Sequence, residues 1–289
     1  MMRMKTVMFK RTAVTVGLMT LLWLLCTLTI PGHSHAAIFF DSDFESCAVG
    51  TADDFPCDGW NDFGQANPGH LEVTNSIAFS GTKSVKGTFD NVAGSSSMPS
   101  IWKRFPDTAH YFMRVATRQS PGFQRGNNGH TKMIRHVDAA GGYPSLLLMY
   151  SYGQYAIIME GPYDAGTYSL FSGVTPSSTS WDQVEIEWKL NTPGQSNGLC
   201  RMWVNGVLRI EQLNKQYVGP TPTSRGAAHG LLNPSTLRVM QTQIFIQSGL
   251  GNIYYDRLAT GDTRIGPAQA KSTSADSTPP ASPQGLQVR

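Results

Sequence analysis

Residues 181–208 read WDQVEIEWKLNTPGQSNGLCRMWVNGVL, a stretch that predicts paired β-strands. Apolar and polar residues alternate through Gln183–Leu190, which is the pattern of a strand with one buried face and one solvated face. Glu185 and Glu187 fall on the predicted solvated face, so we do not expect them to be catalytic. Asn205-Gly206 then predicts a hairpin between two apolar runs, because both residues tolerate the positive φ of a type I′ turn.

The same pattern of short alternating runs, broken by Gly, Pro, Asn and Ser, extends in both directions from this stretch. Short strands separated by frequent turn signals predict an all-β fold, a two-sheet antiparallel β-sandwich. We expect residues 37–267 to form one such domain, since their number suits a single large sandwich. The predicted strands are Ile38–Phe40, His70–Val73, Ser84–Phe89, Tyr111–Arg118, Thr131–Val137, Ser145–Ser151, Tyr155–Glu160, Gln183–Leu190, Leu199–Val204, Val207–Glu211, Leu237–Gln247 and Ile253–Ala259.

Residues 1–36 have the organisation of a signal peptide. A basic segment precedes an apolar run from Val14 to Ile30, and the small residues Ser34 and Ala36 occupy the two recognition positions of a cleavage site. We therefore expect cleavage after Ala36 and secretion of the mature protein to the periplasm or the extracellular space. An uncleaved membrane anchor is the alternative, because the apolar run is only slightly shorter than the about 20 residues that span a bilayer.

Charge argues against one class of partner. The chain has 23 basic and 20 acidic residues, and the signal segment holds Arg3, Lys5, Lys10 and Arg11 but no acidic residue. The mature protein is therefore close to neutral, whereas a nucleic-acid-binding domain is normally basic. We expect no nucleic-acid partner, no membrane partner after signal cleavage, and a monomer.

Three cysteines, Cys47, Cys57 and Cys200, follow the signal segment. Cys47 and Cys57 are close together in a loop-like stretch, SCAVGTADDFPCDGW, and a secreted protein folds in an oxidising compartment. We predict a disulfide between them and an unpaired Cys200. The sequence has neither a CxxC pair nor an HExxH motif, so a zinc site is not expected.

Residues 268–289 are rich in Ser, Thr, Ala and Pro and poor in large apolar residues. Such a composition predicts a disordered tail, because it cannot bury enough apolar surface to fold. Within the tail, TPPASPQGLQV resembles the linker and first strand of a fibronectin type III domain. We interpret it as a vestige, a truncation or a simple tail.

Amides and an aromatic ring share one face of the predicted strand Leu237–Gln247. Gln241, Gln243 and Phe245 occupy alternate positions there, with apolar residues on the other face. Amides hydrogen-bond sugar hydroxyls as both donors and acceptors, and aromatic rings stack on the apolar faces of pyranoses. These residues are therefore candidates for binding a carbohydrate. An ordinary polar sheet exterior with cross-strand pairs is the alternative.

The segment GHTKMIRH at 129–136 gathers His130, Lys132, Arg135 and His136. Cations on one face of a sheet bind a carboxylate or a sulfate, and arginine does so through its bidentate fork. Neither alternate set of residues in this strand is cleanly apolar, so the pattern does not decide its register. A group of ordinary solvated surface charges is the alternative.

Several segments spread over residues 38–267 form an ordered set: DSDFES at 41–46, FSGTKSVKGTF at 79–89, YFMRVATRQSPGF at 111–123, GHTKMIRH, residues 181–208, and NIYYDRLATGDTRIGP at 252–267. Together they resemble the concanavalin A-like lectin/glucanase superfamily, in particular secreted polysaccharide-lyase-like proteins related to heparin lyase I. The resemblance implies a two-sheet jelly roll with a concave groove, lined by an Arg-bearing strand and a Lys-bearing strand. Arg114 and Lys132, with His130 or His136, would then face that groove.

The sequence departs from two catalytic patterns of this superfamily. It has no E-x-D-x-x-E strand, so lyase chemistry is expected over glycoside hydrolysis, which in retaining enzymes needs two carboxyl groups about 5 Å apart. The alginate-lyase pattern R-x-E-x-R with Q-I-H is also absent, since R-V-A-T-R at 114–118 has Ala116 in place of the Glu.

The residues present are compatible with β-elimination from a uronate polymer. This reaction needs the uronate carboxylate neutralised, a base for the C5 proton and an acid for the leaving oxygen, each within hydrogen-bond reach. The tyrosines are otherwise ordinary strand residues. The candidates are Arg114, Lys132 and Gln243 for the carboxylate, His130 or His136 for the base, and Tyr150, Tyr152 or Tyr155 for the acid, with Arg118, Arg135, Gln241 and Phe245 as further substrate-binding residues.

The resemblance also implies a structural calcium ion near the chain ends. The matching residues are Asp41, Asp43 and Glu45 together with Asp256. A hard cation takes several oxygen ligands, which these carboxylates would supply. A solvated acidic strand end is the alternative.

Three functions are consistent with the sequence. The first is a polysaccharide lyase or lyase-like protein acting on an acidic polysaccharide. The second is a non-catalytic, lectin-like carbohydrate-binding protein, and the third is a cell-surface structural or adhesion protein with the tail as a spacer. Only catalysis requires a histidine and a tyrosine to converge on one reacting position.

Overall fold

The computed structural model describes residues 38–51, 57–60, 62–64, 71–91, 100–137, 145–160, 167–220 and 239–269. The predicted signal segment, and the predicted tail beyond residue 269, lie outside these ranges. The described chain forms two antiparallel sheets with the main core between them. The prediction of an all-β, two-sheet sandwich is therefore confirmed. No helix in these ranges is long and apolar enough to span a membrane.

The larger sheet of the described chain has ten strands, and its central strand is the last strand that the structure describes. In spatial order the strands are β15 (Val207–Lys215), β14 (Gly198–Val204), β13 (Asp182–Lys189), β7 (His110–Gln119), β17 (Gly249–Gly261), β5 (Ser84–Asn91), β4 (Leu71–Thr74) and β2 (Gly50–Thr51), while β1 (Ile38–Ser42) and β8 (Gln124–Arg125) also pair with β17.

The smaller sheet of the described chain has seven strands. All the predicted strands are present in the two sheets, with ends that differ by a few residues, but β3, β6 and β12 of this sheet were not predicted. In spatial order the strands are β12 (Thr167–Phe171), β11 (Gln154–Glu160), β10 (Ser145–Ser151), β9 (His130–Val137), β16 (Val239–Gln247), β6 (Ser100–Thr108) and β3 (Asp62–Gly64).

The main core follows the predicted alternation. Strand β13 directs Val184, Ile186 and Trp188 between the sheets, and all three are buried. Their register partners on β7 are core residues as well. Full burial of a large apolar side chain contributes about 1.5–3 kcal/mol relative to exposure. These matched rows therefore hold the larger sheet against the smaller one.

A β-bulge in β9 explains why the alternation of that strand was ambiguous. On β10, Leu148 pairs with Ile134, whereas its neighbour Met149 pairs with Lys132. Met133 is the extra residue between the two pairs, and both Met133 and Ile134 are buried in the main core. A bulge interrupts the strict alternation of faces. No single period-two pattern could therefore fit this strand.

The outer face of β13 is covered, so the prediction that it is solvated is wrong. Glu185 and Glu187 are only 4% and 5% exposed. Residues 262–269, the covering segment, contact this face: the N–H groups of Ile265 and Gly266 donate to Glu185 Oε1 at 2.7 and 3.0 Å. Glu187 is paired with basic side chains from β7 and β14. Both carboxylates thus have structural partners.

The covering segment is fixed at its far end as well. The N–H of Ala268 donates to the Gln183 side chain at 2.5 Å, and Ala268 is buried. The described fold therefore continues past the predicted domain end at residue 267.

The predicted disulfide between Cys47 and Cys57 is confirmed. Cys200 is unpaired, also as predicted, and it is buried. The disulfide closes a loop of ten residues next to β1. By the chain-entropy relation, a loop of that length corresponds to a stabilisation of about 3 kcal/mol.

We expect a Cys47→Ser, Cys57→Ser double variant to unfold at lower denaturant concentration, with about 3 kcal/mol less stability than the wild type. Urea titrations with and without a reducing agent measure the difference. The reductant should lower the midpoint of the wild type but leave that of the double variant unchanged. Equal midpoints for both proteins under oxidising conditions would contradict the stabilising role.

Candidate functional site

The outer face of the seven-stranded sheet has an apolar floor. Leu147, Met149 and Ile158 form a buried cluster separate from the main core. The register pairs Leu147 with Arg135 and Met149 with Lys132. Residues that pair directly across antiparallel strands project on the same face. Arg135 and Lys132 therefore lie on this outer face, two of the cations predicted to bind an acidic ligand.

Lys132 is held by a carboxylate on the same face. Its Nζ lies 3.2 Å from Oε1 of Glu160, and both side chains are partly exposed. Glu160 ends β11, two strands away from Lys132 on β9. The sequence did not predict this pair, because the partners come together only through the pairing of β9, β10 and β11.

His130 begins β9 and projects beside the end of β10. Its Nδ1 lies 2.6 Å from the Ser151 hydroxyl, and the register pairs the same two residues. Burial lowers the pKa of His130, and the nearby positive charge of Lys132 lowers it further. The imidazole is therefore neutral at pH 7. Within the described chain its other nitrogen, Nε2, has no hydrogen-bond partner, so this atom is available to accept a proton.

Tyr152 occupies the turn between β10 and β11 in a strained conformation. Tyr152 and Gly153 both have positive φ, at 46° and 86°. Positive φ is uncommon for an aromatic residue, whereas Asn-Gly suits this turn; Asn205-Gly206 has the same signs of φ, as its sequence predicted. A strained residue that a better turn former could replace points to a role for the side chain itself.

The ring of Tyr152 contacts the ring of His130 on one side and the ring of Phe171 on the other. The His130 and Tyr152 centroids are 4.9 Å apart in an edge-to-face arrangement, and those of Tyr152 and Phe171 are 6.0 Å apart. Tyr152 is 59% exposed and Phe171 is 42% exposed. A histidine, a tyrosine hydroxyl and an exposed ring for stacking thus form a continuous surface, which we call the imidazole–aromatic rim.

The opposite side of the outer face carries a second aromatic and basic pair. Arg104 on β6 lies over the Trp102 ring at 6.0 Å from its centroid. The backbone register continues from Trp102 through Gln243 to Arg135. The candidate residues Gln241, Gln243 and Phe245 belong to β16, and their side chains lie outside what the structure describes. Their predicted role in carbohydrate binding stays a prediction.

The predicted groove position of Arg114 is wrong. Arg114 lies on β7 in the ten-stranded sheet, is only 6% exposed and donates to the Gly266 carbonyl of the covering segment at 3.3 Å. Arg118 is on the same strand, and its Nε donates to the Ser178 carbonyl at 3.1 Å. Alternation gives the face of a strand but not the sheet to which it belongs. Neither arginine shares a surface with Lys132.

His136 lies in the main core, so the structure does not place it where the predicted base would act. It is fully buried, and its Nδ1 is 3.1 Å from the hydroxyl of Tyr111 on the opposite sheet. Burial lowers the pKa of His136 to about 3. The bulge in β9 is the physical reason: it reverses the alternation between Lys132 and His136.

Two of the three candidate tyrosines also face away from the rim. Tyr155 is fully buried and donates to Asp182 at 3.1 Å, and burial raises its pKa. Tyr150 packs partly buried against the main core, with its ring 5.9 Å from that of Phe123. Tyr152 alone of the three contacts His130.

The predicted calcium ligands are engaged with protein donors. Arg257 donates to Asp41 and Asp43 at 3.2 and 3.3 Å, and Glu45 accepts the N–H groups that follow Gly81. Asp256 accepts three backbone N–H groups. Among the described residues, no group of three or more His, Cys, Asp or Glu side chains is arranged to hold a metal ion. These donor contacts do not fit a preformed calcium site, and calcium binding there stays a prediction.

Comparison with solved structures identifies the architecture. Endo-β-1,4-glucuronan lyase from the fungus Trichoderma reesei superposes with a TM-score of 0.53 at 16% identity, over 74% of this chain and 94% of that one. Alginate lyase Aly36B gives 0.53 at 13% identity, over 80% and 98% of the two chains. The fold is that of these lyases. The resemblance to a polysaccharide-lyase-like, concanavalin A-like jelly roll is therefore confirmed at the level of the fold.

A third lyase-fold structure, alginate lyase vAL-1 from Chlorella virus, gives a TM-score of 0.50 at 16% identity, over 71% of this chain and 93% of that one. No protein-family model matches the sequence, and no curated protein matches it at a significant level. The residues of this chain itself therefore carry the evidence on its functional site.

Proposed function

We propose that this lyase-fold protein is secreted, binds an acidic polysaccharide along the outer face of the seven-stranded sheet, and cleaves it by β-elimination at the imidazole–aromatic rim. The observation that carries the proposal is the contact between His130 and Tyr152, whose rings are 4.9 Å apart beside Lys132. Elimination requires a base and an acid that act on the same linkage. The alginate and glucuronan lyases that share the fold support a uronate polymer as the substrate.

Each step of the elimination has a residue in this proposal. Lys132 binds the uronate carboxylate, which makes the C5 proton more acidic. His130 Nε2 takes that proton, and the electron pair forms the C4–C5 double bond as the C4–O bond breaks. The Tyr152 hydroxyl gives its proton to the leaving oxygen. The required tautomer of His130 has the proton on Nδ1, which donates to Ser151 at 2.6 Å.

The experiment is incubation of the purified protein with glucuronan, alginate, pectate and heparin while the absorbance of unsaturated product ends is followed. The proposal expects a rising signal with at least one of these polymers. A flat signal with all of them, together with retained binding to one, would leave a non-catalytic carbohydrate-binding protein. Absence of both binding and cleavage would contradict the proposal that the protein acts on an acidic polysaccharide.

One observation favours that second, non-catalytic function. Lys132 is already paired with Glu160 at 3.2 Å, so a substrate carboxylate must compete with a protein carboxylate for the same ammonium. A binding protein tolerates such competition, since it does not have to neutralise a carboxylate fully for chemistry. Both the lyase and the binding protein would use Lys132, so the effect of Glu160 on the affinity for the polymer tests either function.

We expect Glu160→Gln to tighten binding of a uronate polymer about three- to tenfold at low salt, because Lys132 is released and one repulsive charge is removed. Affinity electrophoresis or calorimetry measures the change. Glu72→Gln is the matched control, since Glu72 pairs with Lys86 on the larger sheet at similar exposure. Equal effects of the two variants would mean that Lys132 does not bind the polymer.

Secretion has a direct test of its own. We expect expression of the full chain in a secreting host to give a mature protein whose first residue is Ala37. N-terminal sequencing checks this, and a retained residue 1–36 segment in the membrane fraction would instead support the uncleaved anchor.

A further inference from the structure

A cavity opens at the end of the sandwich, beyond the imidazole–aromatic rim. Its volume is about 640 Å³, which is within the range of ligand sites. Its walls come from residues 123–129, the loop that contains β8, and from Tyr150 and Tyr152. Tyr152 also contacts His130, so the cavity and the rim share one side chain as a common wall.

The loop that forms the cavity is held in place by several contacts. The N–H of Gly126 donates to the Thr131 hydroxyl, the N–H of Gly129 donates to the Gly126 carbonyl, and the N–H of Tyr152 donates to the Gly129 carbonyl. A Cβ on Gly126 would lie 2.6 Å from Ser248 Cβ, so the loop is closely packed against the sheet. The cavity is therefore formed before a ligand arrives.

The cavity presents a guanidinium group that no carboxylate of the described residues holds. Arg125 is exposed, and among the described residues it has no ion-pair or hydrogen-bond partner for its side chain. This contrasts with the buried Arg114, which is near Asp41. Asn127 and Asn128 add amides beside it, and an Asn128 oxygen accepts the N–H of His130 at 3.0 Å.

From these contacts we propose that the cavity binds one carboxylate-bearing sugar of the same polysaccharide, next to the linkage at the rim, with Arg125 as the group that recognises its carboxylate. The inference rests on the proposed polysaccharide function and extends it past the end of the sheet. A planar guanidinium matches a carboxylate through two hydrogen bonds. Amides of Asn127 and Asn128 suit the sugar hydroxyls, and the exposed edge of Tyr152 separates the two bound sugars.

The test measures binding of two ligands to the full chain carrying His130→Ala, which slows turnover. One ligand is a uronate oligosaccharide, and the other is the same oligosaccharide after reduction of its carboxyl groups. Arg125→Gln should weaken binding of the uronate oligosaccharide about tenfold or more, in line with hydrogen bonds to charged groups. It should leave the affinity for the reduced oligosaccharide unchanged.

Arg209→Gln is the matched control, because Arg209 is an exposed arginine on β15 of the other sheet. It should change neither affinity. Unchanged uronate affinity in Arg125→Gln, or an equal loss for both ligands, would overturn the inference. If Lys132→Ala weakens uronate binding while Arg125→Gln does not, the proposed function stands and the cavity is not part of it. If the parent protein binds neither ligand, both proposals fall.

Discussion

Replacement of His130 by alanine should lower the rate of uronate elimination by a factor of about 10²–10⁴, the usual contribution of a general base. The pKa of His130 is lowered by burial and by the charge of Lys132, so the wild-type rate should begin to fall with decreasing pH only at a lower pH than an ordinary histidine, with a pKa near 6.5, would give. Initial rates of unsaturated product formation across this pH range measure both effects.

Tyr152 provides the companion variants for this test. Tyr152→Phe should lose a similar factor in rate with unchanged binding, because only the proton donor is removed. Tyr152→Asn should lose at least as much of the rate, yet it should be at least as stable as the wild type, since it creates the Asn-Gly turn that Asn205-Gly206 already forms with positive φ. Full activity of Tyr152→Phe would show that another group donates the proton.

Acidification should destabilise the fold through His136. Its pKa is about 3 in the folded protein, against an ordinary value near 6.5. Between these values the unfolded chain binds the extra proton, so the stability rises with pH. The contribution of His136 is fully present above about pH 6.5 and is lost as the pH falls towards 3. From pH 7 to pH 4 the loss is about 3 kcal/mol.

Urea unfolding at a series of pH values, for the wild type and for His136→Gln, isolates this contribution from that of the carboxylates. The difference in stability between the two proteins should shrink by about 3 kcal/mol from pH 7 to pH 4. Tyr111→Phe is the control, because it removes the hydrogen bond to Nδ1 and keeps the buried imidazole. Its pH dependence should match that of the wild type. A constant difference between wild type and His136→Gln would exclude His136 as the source.

Local sequence patterns predicted the elements of this fold well, and they predicted the site only in part. Alternation correctly directed Val184, Ile186 and Trp188 into the core. It could not show that Glu185 is covered, because the covering segment is about 80 residues further along the chain. Strand β6 was missed because Pro106 and mixed charges interrupt its pattern, as is typical of strands near a sheet edge.

The candidate site illustrates the same limit. His130, Lys132 and Tyr152 were chosen from residue types, and the structure brings His130 and Tyr152 into contact. Arg114 was assigned to the same surface, although it pairs into the other sheet. The order of strands in a sheet depends on pairings between distant segments. The types of residue in one strand do not reveal those pairings. A Tyr-Gly pair between two strands was the available signal for Tyr152, since the first position of that turn favours asparagine.

The central position of β17 affects how the chain can fold while it is being synthesised. This strand is the last one that the structure describes, yet β7, β5, β1 and β8 all pair with it. A growing chain therefore carries two half-sheets with open edges until β17 has been synthesised. Pairing of this kind, between distant segments, is slow and leaves strands exposed to wrong partners. We expect the nascent protein to depend on chaperones that cover those edges until β17 pairs with both halves of the sheet.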